Sequence, residues 1–376
     1  MKKILSALLV LCMLLCMFSS CLKGDEQESD TSELTSEIQE STETETETAP
    51  MPETTVYEIL SNKDKIHIQG RSIDTSTGPS FDWSASGIEF NATYIGSISV
   101  TGKANKDIKF RVYVNGEETG IVKFGTKSST KKLPGTEVDT LTTAHVRLVR
   151  VEYVKDGLAT LKAVELAGEI HEWTTERKLI EFIGDSITCG YGSITQDDRK
   201  DGSRTFAYVA SCTLDVDYSM VAISGIGVNK STEQHSGNTI GDFYKYNTYY
   251  RSSSTLYTPE RKADLVVVNL NTNDNGYGAT ETEYKADLKA LLSDIRSIHG
   301  ENVEIVWILG QMTDVNTSVN GWLKDVFEEL GGESSGLYIL ETTKNNLGGN
   351  NHPSYTSHKK TAEHLVTFIN ENKLLG

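Results

Sequence analysis

The stretch Phe182-Ile183-Gly184-Asp185-Ser186-Ile187-Thr188 decides the fold of the second half of the chain. It continues an apolar run that starts near residue 178, and its polar residues begin where that run stops. Near-continuous apolar runs are typical of parallel strands, which are buried on both faces. Because open α/β sheets bind ligands beyond the carboxyl ends of their strands, Ser186 is predicted to lie in a functional site. The competing interpretation is a serine that only caps a helix.

Apolar strands and amphipathic helices alternate from this stretch to the end of the chain. Further strands are predicted at residues 218–223, 265–270 and 304–309, and helices at residues 206–212, 284–298 and 361–372. Strand alternating with helix predicts a parallel sheet that is covered by helices on both faces. We therefore predict an α/β domain over residues 171–376.

Three more polar segments flank these predicted elements in the way that Ser186 does. Ser224-Gly225-Ile226-Gly227 and Asn271-Thr272-Asn273-Asp274 each follow a predicted strand, and His352-Pro353 precedes the last helix. Together with Gly184-Asp185-Ser186, and in this order, they resemble the four sequence blocks of the SGNH hydrolases. The resemblance implies the SGNH hydrolase fold and the hydrolysis of an ester.

The same resemblance implies a role for one residue of each block. Ser186 is the expected nucleophile and His352 the expected base, while His358 is the closest competing histidine. The backbone N–H groups of Ser186 and Gly225 and the side-chain amide of Asn273 are expected to form the oxyanion hole. Ester hydrolysis needs such a set, because the nucleophile must lose its proton and the developing oxyanion must be stabilised.

Two positions depart from the SGNH pattern. Asn271 stands where the third block usually has glycine, and Gly349 stands where an aspartate usually precedes the catalytic histidine by three residues. We therefore predict a Ser-His dyad in which a backbone carbonyl of residues 348–350 orients His352. The alternative is a distant carboxylate, for which Asp314 is the candidate because it follows the strand predicted at 304–309.

Residues 55–170 have the pattern of an all-β domain. Period-two alternation predicts short strands near residues 66–68, 87–90, 97–100, 110–114, 146–151 and 160–164. Asn115-Gly116-Glu117 and Gly102-Lys103 are predicted turns. Several short strands at such spacing favour a β-sandwich, with a jelly-roll-like arrangement.

Two longer stretches resemble one particular family within the SGNH hydrolases. Asp82-Trp83 with Ser86-Gly87-Ile88-Glu89-Phe90, followed by the segment from Arg177 to Gly192, resembles carbohydrate esterase family 2. This resemblance implies the removal of acetyl groups from plant polysaccharides such as xylan and glucomannan, without a metal or another cofactor. It also implies a sandwich that packs on the hydrolase domain and, in some members, a Ser-His dyad.

Aromatic residues could form a sugar-binding platform. Family members often carry an aromatic residue directly before the histidine, where this chain has Asn351. Trp307 and Trp322 could compensate, although a core position is favoured for Trp307 because it lies in a predicted strand. Trp83 and Tyr94 could form a platform in the sandwich, and core packing is again the favoured interpretation.

The N-terminus has the features of an export signal. Residues 1–20 combine a positive start with a long apolar run, and Ser19-Ser20-Cys21 resembles the cleavage box of bacterial lipoproteins. We predict a lipid on Cys21 and a location outside the cytoplasm, at the bacterial cell surface. Secretion without a lipid and an uncleaved anchor are the alternatives. Residues 21–54 are rich in Ser, Thr and Glu and are predicted to be a disordered acidic linker.

Composition excludes several classes of protein. The 376 residues carry a formal net charge of −17, which argues against nucleic-acid binding and against docking on anionic membranes through basic patches. The chain has no C-x-x-C pair, which excludes a zinc ribbon. Cys189 and Cys212 could form a disulfide, but two buried thiols are the favoured interpretation.

Three functions remain open from the sequence. The first is a deacetylase of acetylated polysaccharides or oligosaccharides. The second is an SGNH esterase or lipase that acts on other acyl esters or on envelope glycans. The third is a glycan-binding lipoprotein without activity, although retention of the four block residues argues against it.

Overall fold

A computed structural model of the chain describes residues 52–174, 176–194, 200–250, 255–344 and 347–376. These residues fall within one compact unit, Pro50–Gly376. The predicted signal at 1–20 and nearly all of the predicted linker at 21–54 lie outside the described residues. No helix in the described part of the chain is long and apolar enough to cross a membrane.

The first part of the unit is an antiparallel sheet. Its strands are β1 (Thr54–Glu58), β2 (His67–Gln69), β3 (Ile73–Thr75), β4 (Gly78–Phe81), β5 (Gly87–Ala104), β6 (Ile108–Val114), β7 (Glu117–Phe124), β8 (Ser129–Lys132), β9 (Val138–Arg150) and β10 (Ala159–Ile170). The order is β3-β4-β10-β5-β9-β6-β7, with β1 on β10 and both β2 and β8 on β5. Within β5, residues 87–89 pair with β2 and residues 87–96 with β9, while residues 92–104 pair with β10 and residues 99–102 with β8. A sheet that shares a long strand in this way is consistent with the predicted β-sandwich.

The long strand β5 corrects two strand predictions. Residues 87–90 and 97–100, predicted as separate strands, belong to this single strand. The register with β9 shifts between Tyr94 and Gly96, and Gly96 has a φ of 80°. This local irregularity interrupts the alternation of side chains, which is why the sequence pattern indicates two strands.

One of the two predicted turns is confirmed. Asn115-Gly116 joins β6 to β7, and both residues have positive φ, 51° and 83°, as a tight two-residue hairpin turn requires. Gly102-Lys103, by contrast, lies inside β5. A Cβ on Gly102 would lie 3.0 Å from the carbonyl oxygen of Thr160 in β10, so this glycine permits close strand packing rather than a turn.

The second part of the unit is a parallel sheet with helices, as predicted. Its strands, in the order β12-β11-β13-β14-β15, are β11 (Leu179–Gly184), β12 (Asp217–Ala222), β13 (Leu265–Asn269), β14 (Glu304–Leu309) and β15 (Leu337–Glu341). The α-helices are α1 (Phe206–Leu214), α2 (Ile240–Tyr244), α3 (Thr272–Gly276), α4 (Glu281–His299), α5 (Ser318–Glu329) and α6 (Tyr355–Glu371). Short 3₁₀ turns occur at Ile59–Ser61, Val154–Asp156, Gly202–Arg204, Glu233–His235, Gly332–Ser335 and Gly349–Asn351. Helix α1 packs on α6, and α4 packs on α5. Four elements of this part were not predicted from the sequence, namely β15, α2, α3 and α5.

The strand order creates a crevice at the carboxyl ends of β11 and β13, which are neighbours in the parallel sheet. The chain leaves β11 towards β12 and leaves β13 towards β14, on opposite sides. Neighbouring strands with diverging connections leave a gap between their carboxyl ends, where α/β proteins bind ligands. Ser186 follows β11 and Asn273 follows β13, so both lie at this gap.

The aromatic residues considered as sugar platforms are largely in the core. Trp83, Tyr94 and Trp307 are at most 1% exposed, which excludes contact with a polysaccharide at the surface. Trp322 is partly buried and packs on Tyr284, with 6.1 Å between the ring centroids. The core interpretation is therefore confirmed for Trp83, Tyr94 and Trp307.

Cys189 and Cys212, in the second part of the unit, do not form a disulfide. Cys189 is buried, as predicted, and both thiols are free. Cys212 is exposed, which contradicts the prediction of two buried thiols, and its Sγ lies 3.5 Å from a guanidinium nitrogen of Arg147.

Candidate active site

Ser186 lies in a turn directly after β11. The side chain of Asp185 accepts a hydrogen bond from the N–H of Ile187 at 2.9 Å and so fixes this turn. The residue before the turn, Gly184, must be glycine, because a Cβ there would lie 2.0 Å from Oγ1 of Thr188. No helix begins at Ser186, so the interpretation of this serine as a helix cap is wrong.

His352 lies against Ser186 across the crevice. Its Nε2 is 2.8 Å from Oγ of Ser186, and its Nδ1 is 2.9 Å from the carbonyl oxygen of Asn350. A carbonyl oxygen can only accept a hydrogen bond, so the neutral ring carries its proton on Nδ1. Nε2 is then free to accept the proton of the serine hydroxyl.

The turn that follows Ser186 also supports the histidine. The N–H of Tyr191 donates to the carbonyl oxygen of Ser186 at 2.9 Å. The ring of Tyr191 packs edge-on against His352, with 4.6 Å between centroids, and its hydroxyl accepts from the side-chain amide of Asn350 at 2.8 Å. Tyr191 therefore contacts both His352 and the residue whose carbonyl accepts from its ring.

Burial shifts the titration of the histidine. It lowers the pKa of His352 below the usual value, and the carbonyl of Asn350 opposes this shift only in part. Burial disfavours the charged imidazolium, so the ring stays neutral to a lower pH than an exposed histidine would. Nε2 of His352 can therefore accept a proton at mildly acidic pH.

Two of the three expected oxyanion donors are backbone N–H groups. Within the described residues, the N–H groups of Ser186 and Gly225 donate to no protein acceptor. Gly225 has a φ of 83°, and a Cβ there would lie 2.6 Å from both Thr232 and Gln234. Its turn therefore requires glycine, and both N–H groups remain available to a substrate oxygen.

Asn273 links the turns that carry these donors. Its Nδ2 lies 2.7 Å from the carbonyl oxygen of Ile226 and 3.5 Å from the carboxylate of Asp185. An amide nitrogen has two N–H groups. The short contact engages one of them, and the long contact to Asp185, the residue before Ser186, leaves the second with capacity for a substrate oxygen.

The departure at Asn271 does not crowd its turn. Asn271 has a φ of 85°, in the left-handed region that asparagine tolerates better than most residues. Its side chain is fully buried, donates to Asn320 at 2.9 Å and accepts from the hydroxyl of Tyr284 at 2.6 Å. These bonds hold the residue in the position where a glycine would otherwise be needed.

The carboxyl group nearest the serine is Asp185, and it does not contact the histidine. Burial, assisted by the charge of Asp274, raises the pKa of Asp185 to about 7. Asp274 accepts three backbone N–H bonds, from residues 228–230, at 2.7 to 3.0 Å, and so fixes the segment after Gly225. Both carboxyl groups organise the turns around the site.

Among the described residues, neither Asp314 nor His358 forms a hydrogen bond with Ser186 or His352. Asp314 is exposed and accepts from the N–H of Asn316 at 2.9 Å, and among the described residues no carboxylate forms an ion pair with His352. His358 is fully buried, and its Nδ1 accepts from the N–H of Phe206 at the start of α1. Burial, with His352 nearby, lowers the pKa of His358 to about 3.

One group of side chains has the composition of a metal site. In the described part of the chain, His67, Glu89 and Asp217 offer ligand atoms within 4.8 Å of one another. Arg177 donates to both carboxylates, and further arginines pair with each of them. The arginines already neutralise these carboxylates, so the group is an ion-pair network rather than a cation site.

Sequence reasoning missed the residues that support the site. Tyr191 follows Ser186 by five positions and lies in the stretch from Arg177 to Gly192 that carries the family resemblance, but the sequence analysis gave it no role. Tyr153 and His235 both contact the carbonyl oxygen of Ser224, beside Gly225, and Tyr153 belongs to the β-rich half of the unit. Such contacts depend on the tertiary fold and leave no local pattern in the sequence.

Comparison with known proteins finds a family match in the second part of the unit. Residues 182–359 match the GDSL-like Lipase/Acylhydrolase family. The chain is 29% identical to the cellulase/esterase CelE of Acetivibrio thermocellus over 79% of its own length, and 24% identical to an acetylxylan esterase / glucomannan deacetylase of Cellvibrio japonicus over 52%. The matches span 38% and 60% of these two relatives.

Solved structures resemble nearly the whole described unit. A family two carbohydrate esterase from Clostridium thermocellum in complex with cellohexaose has a TM-score of 0.74 and 26% identity, over 82% of this chain and 99% of that one. An acetyl xylan esterase from the rumen bacterium Butyrivibrio proteoclasticus has a TM-score of 0.75 and 21% identity, over 86% and 100%. The second likeness is evidence for the fold alone.

Proposed function

We propose that this chain, whose residues 182–359 form a GDSL-like lipase/acylhydrolase domain, is a serine esterase that removes O-acetyl groups from plant cell-wall polysaccharides. Acetylated xylan and acetylated glucomannan are the proposed substrates. The observation that carries the proposal is the 2.8 Å contact between Ser186 and His352 beside two backbone N–H groups that have no protein acceptor within the described residues. The relatives named as family two carbohydrate esterases support the substrate class.

The geometry is suited to a two-step acyl transfer. Oγ of Ser186 attacks the acetyl carbonyl while Nε2 of His352 takes its proton, and the oxyanion forms against the N–H groups of Ser186 and Gly225 and the amide of Asn273. His352 then returns the proton to the departing sugar oxygen, which leaves acetyl-Ser186. Water attacks this ester while His352 takes one of its protons, and His352 then gives that proton to Oγ of Ser186 as the bond to the acetyl group breaks and acetate is released.

Substrate comparison tests this function. We expect kcat/KM to be highest for a chromogenic acetyl ester, lower for the butyryl ester and lowest for the octanoyl ester. Acetate should also be released from acetylated xylan and acetylated glucomannan, with Ser186→Ala as the inactive control. A rise of kcat/KM with acyl length would favour the lipase alternative, and inactivity towards every ester would favour a glycan-binding protein.

We further propose that the mature protein is anchored outside the cytoplasm by a lipid on Cys21. The sequence Phe18-Ser19-Ser20-Cys21 and the acidic segment behind it support this location. Cys21→Ala should move the protein from the membrane fraction to the soluble fraction, while Cys212→Ala should leave it in the membrane fraction. An unchanged distribution of Cys21→Ala would contradict the anchor.

A further inference from the structure

The carbonyl oxygen of Ser224 accepts hydrogen bonds from three side chains. Nε2 of His235 lies at 2.8 Å, Nε2 of Gln234 at 3.1 Å and the hydroxyl of Tyr153 at 3.4 Å. Most backbone carbonyls outside regular structure have one protein partner or water. A concentration of donors on one carbonyl indicates that the orientation of this peptide group matters.

This carbonyl shares its peptide group with an expected oxyanion donor. The C=O of Ser224 and the N–H of Gly225 belong to one planar trans peptide, in which they point in opposite directions. Fixing the oxygen therefore fixes the direction of the N–H. Bonds accepted by the carbonyl also polarise the peptide and strengthen its N–H as a donor.

The loop that carries His235 holds the next peptide as well. The N–H of Thr232 donates to the carbonyl oxygen of Gly225 at 2.8 Å, and the N–H of His235 donates to the carbonyl oxygen of Thr232 at 3.0 Å. The peptide groups on both sides of Gly225 are thus attached to residues 232–235.

The surroundings of His235 favour a neutral ring that donates a hydrogen bond from Nε2. The ring is 3% exposed, and within the described residues its Nδ1 has no hydrogen-bond partner. A proton on Nδ1 would have no acceptor, so the neutral ring carries its proton on Nε2, which faces Ser224. Burial, with a contribution from Lys155, lowers the pKa of His235 and keeps the ring neutral.

We propose that His235 and Tyr153 are positioning residues that aim the Gly225 N–H into the oxyanion hole by holding the Ser224 carbonyl. The inference rests on the proposed esterase function and extends it, because nothing in the sequence blocks assigns either residue. Tyr153 is buried and belongs to the β-rich half, so that half completes the hydrolase site rather than only packing beside it.

Steady-state kinetics on a chromogenic acetyl ester test the inference. His235→Leu should lower kcat about 10- to 100-fold with KM changed less than twofold, because the lost interaction acts on the transition state. His235→Gln, which keeps a donor near Nε2, should recover most of this loss. Tyr153→Phe removes a long, weaker bond and should lower kcat about threefold.

Matched controls separate positioning from general damage. His171→Leu removes a histidine whose Nε2 also makes a 2.8 Å bond, to Thr93, and Tyr338→Phe removes a hydroxyl bond of 3.4 Å, to Glu304. Both should keep the wild-type kcat. Melting temperatures show which variants are folded. If His235→Leu is not folded, the test rests on His235→Gln and Tyr153→Phe. Both must then stay active, and kcat of Tyr153→Phe must be below that of Tyr338→Phe.

Three results would overturn the inference. They are a folded His235→Leu with wild-type kcat, a His235→Gln as slow as His235→Leu, and a Tyr153→Phe indistinguishable from Tyr338→Phe. Any of these alongside an active wild type would leave the proposed function intact. Failure of the wild type to hydrolyse any acyl ester would overturn both proposals.

Discussion

Arg71 in the β-rich half forms a bidentate salt bridge with Glu181 in β11. Nε to Oε1 is 3.0 Å and Nη2 to Oε2 is 2.9 Å, and both side chains are at most 1% exposed. His299 and the hydroxyl of Tyr244 also bind Oε2, at 2.7 and 2.8 Å. A buried carboxylate with this many donors is well satisfied, so the pair joins the two sheets without leaving an unpaired charge.

Removing one partner of this pair should destabilise the protein strongly. Glu181→Ala leaves Arg71 buried without a counter-charge and should lower the free energy of unfolding by about 3–5 kcal/mol. Urea denaturation at pH 7 measures the change. Glu341→Ala, which breaks the exposed pair with Lys324, is the control and should cost less than about 1 kcal/mol.

The double variant of the same pair gives a sharper test. Arg71→Met with Glu181→Leu removes both charges together and should cost less than the sum of the single changes, because neither charge is then left alone. Additive losses would show that the two residues do not stabilise the fold as a pair.

The side chain of Asn273 should act mainly in the transition state. Asn273→Ala is expected to lower kcat about 100-fold with little change in KM, because its free N–H stabilises charge that develops only during the reaction. Asn372→Ala is the control, since its amide also donates to a backbone carbonyl, at 2.9 Å at the end of α6. A folded Asn273→Ala with wild-type kcat would remove Asn273 from the oxyanion hole.

The pH dependence of kcat/KM should reflect the burial of His352. The base acts only when neutral, and burial lowers the pKa of His352, so activity should rise with pH through a midpoint below the usual ~6.5. The measurement is kcat/KM for an acetyl ester between pH 4 and 9, with His364→Asn at an exposed site as the control. A midpoint above 6.5 would indicate a carboxylate that stabilises the imidazolium.

The strand ends and the four blocks were predictable because their signals are local. An apolar run followed by Gly184-Asp185-Ser186 marks both a buried strand and the turn after it, and the same holds for the segments before Gly225 and Asn273. The strand β15 escaped prediction although Leu337 to Leu340 are all apolar, because so short a run does not by itself distinguish a strand from a buried piece of helix.

The supporting contacts could not be predicted for a different reason. Arg71 and Glu181 are 110 positions apart, and Tyr153 and Ser224 are 71 apart. Neither pair has a spacing that local structure dictates, so each becomes visible only when the two sheets pack. Interactions of this kind determine how the site is held, whereas the blocks determine which groups react.

The orienting group of His352 gives the most decisive prediction. The carbonyl oxygen of Asn350 already accepts from Nδ1 at 2.9 Å, and a ring nitrogen with one proton needs no second acceptor. Ser186→Ala and His352→Ala should each abolish turnover, and the double variant should be no worse than either, because the two residues act as a unit.

Asp314→Asn should retain nearly all activity, since Asp314 is exposed and bonds to its own loop. A carboxylate that truly oriented the base would cost several orders of magnitude when neutralised. A loss of that size in a folded Asp314→Asn variant would therefore replace the dyad with a dispersed triad.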